Sequence, residues 1–337
     1  MLRVAVDAMG GDHAPAEIVK GVVSAVNKME NLEVLLVGSR DSIKKSVGNK
    51  INDPRIRIIN TQEVIAGDED PGLAIRSKRN SSMMTAMHLV CHGKADAVIS
   101  AGNTGALMGG GLLFLKRIKG IKRPALLTII PALQGGGTVL LDIGANMDAK
   151  PEHLLQYALM GRVYAREMLG KENPSVALLN VGSEGNKGNT QIKNAYQLFA
   201  GQDINFVGNV EATELFRNPA NVLVCDGFVG NVLLKAIEGF SRDIFDYIRQ
   251  EIAKDFKAWL ASPMVLPVFQ RARAVLDESE YGGSLLIGVR GVCFKCHGSS
   301  RERAIMQAIL KQVYPFVHKN INQKIEKALK QDSYSKG

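Results

Sequence analysis

Hydrophobic and polar positions along this chain follow two different periods. Short apolar runs, which predict strands, alternate with longer stretches in which apolar residues recur at helical spacing. At the start of the chain the pattern predicts strands at 2–6, 32–37 and 55–59, separated by helices at 15–26 and 39–47. A βαβαβ order implies parallel strands joined by right-handed crossovers. The pattern therefore predicts an α/β fold with a largely parallel sheet.

The alternation continues to the end of the chain. Further helices are predicted at 81–91, from the turn at 100–105 to about 116, at 151–169, at 190–199 and at 302–330, with Ser299 or Ser300 capping the last one. Further strands are predicted at 95–100, 175–180, 281–288 and 292–294, with an alternating set at 205–207, 211–216 and 221–225. Two regions depart from this order. Residues 61–80 are typical of a long loop, and the apolar runs 125–131 and 137–142 predict an antiparallel hairpin.

One turn between strand and helix lies at the centre of the pattern. Helical spacing begins at Val232, so Asp226 is expected at the end of a strand and Asn231 at the start of a helix. There an amide either caps the helix or faces a ligand. The helix ends in an apolar tip at 264–269, flanked by prolines, which fits a buried core, a dimer contact or a segment that touches a membrane. We predict one αβα domain over 1–331, with a protruding helical hairpin at about 232–280 and a tail at 332–337.

Composition and charge narrow the possible functions. Of the 337 residues 46% are hydrophobic, which is enough for a large core, and the formal charge of +9 favours acidic partners. Such partners include phosphate, acidic proteins, anionic lipid and nucleic acid, but the 6% aromatic content without aromatic-basic interleaving argues against a nucleic-acid module. The N-terminus does not resemble a signal peptide, and the longest apolar region, 106–115, is too short to span a membrane. We expect a cytoplasmic protein.

The four cysteines are expected to be reduced thiols in a chain that is not exported. Cys293 and Cys296, followed by His297, match the spelling of a haem attachment site and of half a zinc site. We reject both, because that kind of haem attachment belongs to exported proteins and no second C-x-x-C pair completes a zinc site. The expectation is therefore no metal and no cofactor.

Five turns that follow apolar runs are rich in glycine, asparagine and aspartate. They are 7–12, 100–105, 141–146, 182–189 and 226–231. Together they would line one edge of a parallel sheet and offer backbone N–H groups to an anion such as phosphate. The usual nucleotide-binding signatures are missing. Lys187, between glycine and asparagine residues, is the best candidate for a cation that neutralises phosphate, and the alternative is an ordinary surface lysine.

Eight motifs resemble, in order and spacing, the bacterial phosphate acyltransferase family. They are Asp7-Ala-Met-Gly-Gly-Asp12, Ser81-Ser-Met83, Ser100-Ala-Gly-Asn-Thr-Gly-Ala106, Leu141-Asp-Ile-Gly-Ala-Asn146, Lys187-Gly-Asn189, Cys225-Asp-Gly-Phe-Val-Gly-Asn231, Tyr281-Gly-Gly283 and His297-Gly-Ser-Ser300. The resemblance implies transfer of a fatty acyl group from acyl carrier protein to inorganic phosphate at the start of phospholipid synthesis. It also implies an αβα fold like that of phosphotransacetylase and the isopropylmalate dehydrogenases, a homodimer, peripheral attachment to an anionic membrane surface, and a downstream acyltransferase that uses the acyl phosphate.

The resemblance also implies roles for individual residues. Lys187 would balance the charge of phosphate and of the developing oxyanion. Asn231 would donate a hydrogen bond to the thioester carbonyl oxygen, and Asp226 would orient Lys187 or Asn231. Further contacts with the substrates are expected at Gly10, Gly11, Asn103, Thr104, Gly105, Asp142, Asn146, Gly188 and Gly230.

Two other classes stay open at this point. A metal- and nicotinamide-dependent decarboxylating dehydrogenase has the same fold, but the paired aspartates and the arginine cluster that it needs cannot be assembled from this sequence. A non-enzymatic scaffold of lipid synthesis needs only the apolar tip and the basic C-terminal segment, where 301–337 holds eight Lys or Arg and three Asp or Glu. Formation of acyl phosphate by the purified protein would separate the enzyme from the scaffold.

Overall fold

The sheet of this protein contains eleven strands in a computed structural model that describes residues 1–47, 53–276 and 283–334. The strands are β1 (Leu2–Asp7), β2 (Leu32–Gly38), β3 (Ile56–Asn60), β4 (Ala97–Ser100), β5 (Ala125–Pro131), β6 (Gly137–Leu141), β7 (Val176–Asn180), β8 (Phe206–Glu211), β9 (Val222–Val224), β10 (Ser284–Ile287) and β11 (Val292–Lys295). Their order across the sheet is β3-β2-β1-β4-β11-β10-β5-β6-β9-β7-β8. Most neighbouring strands are parallel, so the predicted α/β fold with a largely parallel sheet is confirmed.

Helices cover both faces of this sheet. They are α1 (Ala16–Lys28), α2 (Arg40–Val47), α3 (Pro71–Ser77), α4 (Ser82–Cys91), α5 (Thr104–Gly110), α6 (Pro151–Leu169), α7 (Thr190–Ala200), α8 (Gly227–Lys254), α9 (Phe256–Leu276), α10 (Glu302–Gln307), α11 (Tyr314–His318) and α12 (Ile321–Tyr334). A π-helical turn follows α5 at Gly111–Leu115 and another follows α10 at Ala308–Val313.

The sheet consists of two parallel blocks that run in opposite directions. Strands β1–β4 and β11 form one block, and β6–β9 form the other. Between them, β10 is antiparallel to β11 and to β5, and β5 is antiparallel to β6, as the predicted hairpin requires. Three reversals invert the strand direction. The expectation that all five turns line one edge is therefore wrong, because the turns after β1 and β4 lie at one edge and those after β6, β7 and β9 at the other.

Alternate residues of each strand face two separate cores. On one face Val4 and Val6 of β1 belong to a core that also contains residues of α1, α6, α7 and the C-terminal helices. On the other face Ala5 packs with α4, α5 and the first turns of α8. Because successive side chains of a strand point to opposite sides, one continuous apolar run supplies both cores.

Two interior boundaries differ from the prediction. The loop at 61–80 contains α3, which forms because the Asp70 side chain accepts a hydrogen bond from the Leu73 N–H at 2.8 Å and caps the helix. The stretch 205–216 contains one strand, β8, followed by a 3₁₀ turn at Ala212–Arg217.

The closing helix is also different. It is divided into α10, α11 and α12, with Asn320 in a left-handed conformation (φ 53°) between the last two. Arg301 stands at the N-cap of α10, and its side chain makes no capping hydrogen bond, so the prediction of a serine cap is wrong.

The apolar tip lies on the exposed surface of α9. The prolines do not end a helix there, since α9 continues through Pro263 and Pro267 and the break falls at Asp255. The Asp255 carboxylate accepts a hydrogen bond from the Lys257 N–H at 2.8 Å and thereby caps α9. Met264 is 83% exposed, so the tip does not belong to the core of this chain. None of the described helices combines the length and apolar character needed to cross a membrane.

Parts of three predictions fall outside the described residues. The hairpin at about 232–280 includes 277–280, the Tyr281-Gly-Gly283 motif includes 281 and 282, and the tail at 332–337 includes 335–337. The hairpin and the domain limits therefore stay predictions.

Candidate active site

The turns after β1 and β4 are fitted together by glycines. A Cβ atom at Gly10 would lie 2.6 Å from the Asp7 carboxylate and 2.7 Å from the Gly102 nitrogen, so only glycine fits. Gly11 has a positive φ of 103° beside Gly298, the glycine that follows His297. The buried Asp7 carboxylate accepts a hydrogen bond from the Ser100 hydroxyl at 2.6 Å, while burial raises the Asp7 pKa. Gly10 and Gly11 thus bring the ends of β1, β4 and β11 together.

Of the three residues at the start of α5, only Thr104 faces open space. Asn103 is the N-cap, and its side-chain oxygen accepts a hydrogen bond from the Ala106 N–H at 2.9 Å. Its amide nitrogen donates to backbone carbonyls of the 66–69 loop, so the Asn103 side chain is occupied. A Cβ atom at Gly105 would lie 2.4 Å from Pro71, which explains glycine at that position. Thr104 is exposed and lines the cavity described below.

Asp142 holds the turn after β6 together. Its buried carboxylate accepts four backbone N–H bonds, from Leu126, Gly144, Ala145 and Asn146, and one from the Asn146 side chain. Burial raises the pKa of this carboxyl group, and the hydrogen bonds counteract that effect. The Asn146 amide also donates to the Pro124 carbonyl at 2.6 Å. The contacts of both side chains within the protein fix the turn after β6, and α8 packs against this turn.

Helix α8 begins earlier than predicted, because Asp226 and not Asn231 is its N-cap. The Asp226 carboxylate accepts a hydrogen bond from the Val229 N–H at 2.8 Å. A Cβ atom at Gly230 would lie 2.0 Å from the Asp142 carbonyl oxygen, so the helix can approach the turn after β6 only with glycine there. Asn231 therefore lies inside the helix, close to Gly144, with its side chain available to the cavity.

Lys187 lies in the loop between β7 and α7. Its side chain is 52% exposed, and its Nζ is 3.9 Å from the Glu184 carboxylate. Its carbonyl oxygen accepts a hydrogen bond from the Asn180 amide at 3.1 Å, and a Cβ atom at Gly188 would lie 2.5 Å from the oxygen of that amide. Lys187 is not among the described residues that line the cavity, and the hydrogen bonds and ion pairs of these residues do not connect it to Asp226 or Asn231.

A cavity of about 310 Å³ lies between α8 and one face of the sheet. Thr104 and Asn231, from opposite edges of the sheet, both line it. Its apolar wall includes Leu126, Ile130, Ile143, Leu234, Ile237 and Phe245. Its polar wall includes four basic residues, Lys235, Arg242, Lys295 and His297, and one acidic residue, Glu238. The cavity therefore combines an apolar surface with an excess of positive charge.

Three of these basic residues are held in place by their neighbours. Lys295, 9% exposed at the end of β11, donates hydrogen bonds to the Ala101 and Cys296 carbonyls, and burial lowers its pKa. The Lys235 Nζ lies 2.6 Å from the Glu238 carboxylate and 3.1 Å from the His297 Nε2. Burial and the Lys235 charge lower the pKa of His297, which favours a neutral ring.

The basic residues of the cavity were not among the predicted site residues. A signal for them exists in the sequence, because Lys235 and Arg242 follow Asn231 at spacings of four and eleven residues, on one face of a helix. Lys295 and His297 follow the end of an apolar strand, where functional residues of α/β sheets collect. Helical spacing that begins at Val232 does not by itself indicate which face of α8 lines a cavity.

A family model and two named relatives match nearly the whole of this chain. A family model described as "Fatty acid synthesis protein" matches residues 2–324. The chain is 45% identical over 332 residues to phosphate acyltransferase of Bacillus pumilus, covering 98% of this chain and 99% of that protein. It is 47% identical over 310 residues to phosphate acyltransferase of Desulfitobacterium hafniense, covering 92% of each.

Solved structures agree on the fold. A branched-chain phosphotransacylase from Enterococcus faecalis is 14% identical with a TM-score of 0.59, covering 94% of this chain and 99% of that chain. A phosphotransacetylase from Streptococcus pyogenes is 16% identical with a TM-score of 0.56, covering 94% of both chains. At this level of identity the likeness supports the fold alone, and it agrees with the fold that the motifs implied.

Proposed function

Since this chain belongs to the fatty acid synthesis protein family, we propose that it is a phosphate acyltransferase, which transfers a fatty acyl group from acyl carrier protein to inorganic phosphate for phospholipid synthesis. A phosphate oxygen attacks the thioester carbonyl carbon and forms a carbon–oxygen bond. The carbon–sulfur bond then breaks, and the thiolate leaves with the carrier and takes up a proton, which balances the proton that hydrogen phosphate loses when it becomes acyl phosphate. Phosphate is already an oxygen nucleophile near neutral pH, so the enzyme must supply position and charge neutralisation more than a base.

The observation that carries this proposal is the composition of the cavity. It places Asn231, a neutral hydrogen-bond donor, on the same surface as Lys235, Lys295 and Thr104. In this arrangement the two lysines would neutralise phosphate, with Thr104 as a further hydrogen-bond partner, and Asn231 would donate to the carbonyl oxygen as it becomes an oxyanion. Its apolar wall would accept the start of the acyl chain.

For Lys187 and Asp226 we propose the roles that the resemblance implies, and for Asp226 we add how it would orient Asn231. Strands β7 and β9 are parallel neighbours, so the Lys187 loop and the Asp226 turn follow adjacent strands at the same edge. That position supports Lys187 as a second cation for the developing charge. Asp226 caps α8, and we propose that it orients Asn231 by fixing the start of this helix.

The experiment is phosphate-dependent release of free thiol from acyl-carrier thioester by the purified protein. We expect one thiol for each acyl phosphate formed, with no reaction when phosphate is omitted. Thiol release that does not depend on phosphate would indicate a thioesterase, and no release at all would contradict the enzymatic function.

We also propose a homodimer that attaches to an anionic membrane surface. Several apolar side chains of α8 are exposed, including Phe240 at 70%, and a second copy of this helix would cover them. The exposed apolar residues of α9, among them Met264, support membrane contact. Analytical ultracentrifugation tests the dimer, since a monomer at micromolar concentration would contradict it.

The remaining partners follow from the chemistry of the product. Acyl phosphate is a reactive mixed anhydride, so we propose that a downstream acyltransferase uses it close to where it is formed. Both enzymes would then work in the cytoplasm at the membrane surface. Co-sedimentation of the two purified enzymes with anionic vesicles tests this arrangement.

A further inference from the structure

A strongly basic loop connects the π-helical turn after α5 to strand β5. Its eight residues contain five Lys or Arg and no Asp or Glu, and the five are Lys116, Arg117, Lys119, Lys122 and Arg123. All five side chains are exposed. Arg290 lies directly beside this loop, because its N–H donates to the Lys116 carbonyl at 2.9 Å. A surface of six cations is thus concentrated in one place.

This basic loop is held firmly by the rest of the protein. Ile118 and Ile121 are buried and anchor the loop in the core that contains α6. The Ile118 N–H donates to the Gly288 carbonyl at 2.9 Å, and the Lys122 N–H donates to the Gln156 side chain at 2.8 Å. The charges therefore sit on a preorganised surface, which lowers the entropic cost of binding a partner.

Carboxylates do not neutralise this surface. Among the described residues, none of the six cations has a carboxylate at ion-pair distance. The field also reaches His153, whose pKa is lowered first by burial and then by Arg123, although Glu152 acts in the opposite direction. Unpaired cations on a rigid surface favour an acidic partner and increase its association rate.

The basic loop lies next to the candidate active site. Pro124, directly after the loop, accepts the hydrogen bond from Asn146, in the turn on which α8 rests. Leu126, two residues further, lines the cavity. The basic loop therefore lies at the same edge of the sheet as the turn against which α8 and Asn231 pack, and it is joined to the cavity wall by the first residues of β5.

We propose that the basic loop at 116–123, together with Arg290, is the docking surface for an acidic protein, the acyl carrier protein that brings the acyl chain. This inference rests on the acyl transfer proposed above. Its docking would present the thioester to the cavity, while the cavity itself recognises only the thioester, the acyl chain and phosphate.

Charge reversal tests this surface with a matched control. The test variant is Lys119→Glu/Lys122→Glu, and the control is Lys44→Glu/Lys45→Glu on α2, with the same change in net charge beside the edge strand β3, six strands away from β5. At low salt we expect kcat/KM for acyl carrier protein to fall about tenfold or more in the test variant and to lose its salt dependence. The control should keep both. Neither variant should change kcat/KM for acyl-pantetheine, which has no carrier protein.

Several results would overturn the proposal. One is an equal loss with acyl carrier protein and acyl-pantetheine, another is an equal loss in both variants, and a third is unchanged kinetics. Loss of binding to anionic vesicles with normal carrier kinetics would instead identify a lipid contact. If the wild-type protein makes no acyl phosphate, the proposed function fails, and fluorescence anisotropy with labelled carrier protein still decides whether the loop binds it.

Discussion

Lys295 is the residue whose position most needs a functional explanation. Lys295 is 9% exposed, so its ammonium group loses hydration, and the hydrogen bonds of this group go to the Ala101 and Cys296 carbonyls and not to a carboxylate. Burial accordingly lowers its pKa. Cations with a lowered pKa that line a cavity are candidates for function, because an anionic ligand would stabilise their charged form. In the proposed reaction that ligand is phosphate.

We therefore predict that Lys295→Met raises KM for phosphate about tenfold or more and leaves KM for acyl carrier protein nearly unchanged. Lys235→Gln should act in the same direction, and Lys254→Gln is its control, since Lys254 forms a similar pair with Glu251 on the same helix. Steady-state kinetics with each substrate varied provide the measurement. Equal changes for Lys235→Gln and Lys254→Gln would assign the effect to helix stability.

Lys187 offers a contrast, because its side chain is half exposed and lies outside the described cavity lining. If it acts on the developing charge, Lys187→Ala should lower kcat by about 10²-fold with the melting temperature unchanged. Removal of an ordinary surface lysine would leave turnover near normal. That outcome would leave charge neutralisation to Lys235 and Lys295.

Asp226 and Asn231 separate capping from catalysis. Asp226→Ala removes the α8 cap and should cost about 1 kcal/mol of stability. Asn231 is not the cap, so Asn231→Ala should leave stability nearly unchanged while it lowers kcat by about 10²-fold. Thermal unfolding and turnover of the same samples make the comparison. A large stability loss in Asn231→Ala with normal turnover of the folded fraction would contradict a role in the reaction.

Among the elements, α8 forms one wall of the cavity, which extends from the edge of the sheet at Asn231 to the opposite edge at Thr104. It begins against the turn after β6, at the edge opposite Thr104, and then passes across the sheet face. This placement depends on Gly230, where any Cβ atom would meet the Asp142 carbonyl at 2.0 Å. The position of Asn231 therefore depends on a glycine one residue earlier.

Two glycine substitutions on α8 test this dependence. Gly230→Ala should destabilise the protein by about 3 kcal/mol and strongly reduce turnover, because the helix must move away from the turn. Gly239→Ala has open space around its Cβ and should stabilise the helix by up to about 1 kcal/mol. Denaturant unfolding measures both. Similar stabilities for the two variants would show that α8 does not rest on the turn as described.

The sequence predicted elements better than their ends. Long periodic segments such as α6 have a single period from a proline at the start to a glycine at the end, so both limits were correct. At α8 either Asp226 or Asn231 could cap the helix. Gly227 and Gly230 pack against the turn after β6, so the helix begins at Gly227 with Asp226 as its cap. Periodicity alone does not contain this contact. At α9 the prolines lie inside the helix, and the break between α8 and α9 is set by the cap at Asp255.

At the scale of the whole molecule, the local pattern predicts the hairpin of β5 and β6 but not the place of β10 and β11 in the sheet. The local order βαβ predicts parallel neighbours, but β10 and β11 join the sheet from the far end of the chain. Their insertion between β4 and β5 adds two antiparallel contacts that cancel, so β5 runs in the direction of β4, and the β5–β6 hairpin reverses the second block. The motifs support the family resemblance. The pairing of strands that are distant in the chain brings Thr104 and Asn231 to one cavity from opposite edges of the sheet.

The last prediction concerns attachment of the whole molecule to a membrane. The exposed face of α9 includes Val265 and Leu266, and a dimer would present two such faces together with its basic surface. Val265→Asp/Leu266→Asp should move the protein from the anionic liposome pellet to the supernatant and leave turnover of soluble acyl carrier protein largely intact. The control is Leu133→Asp/Val207→Asp, which changes two exposed apolar residues elsewhere and should still sediment. If the α9 variant sediments normally, this face is not the membrane contact, and if it becomes monomeric, the face belongs to the dimer interface.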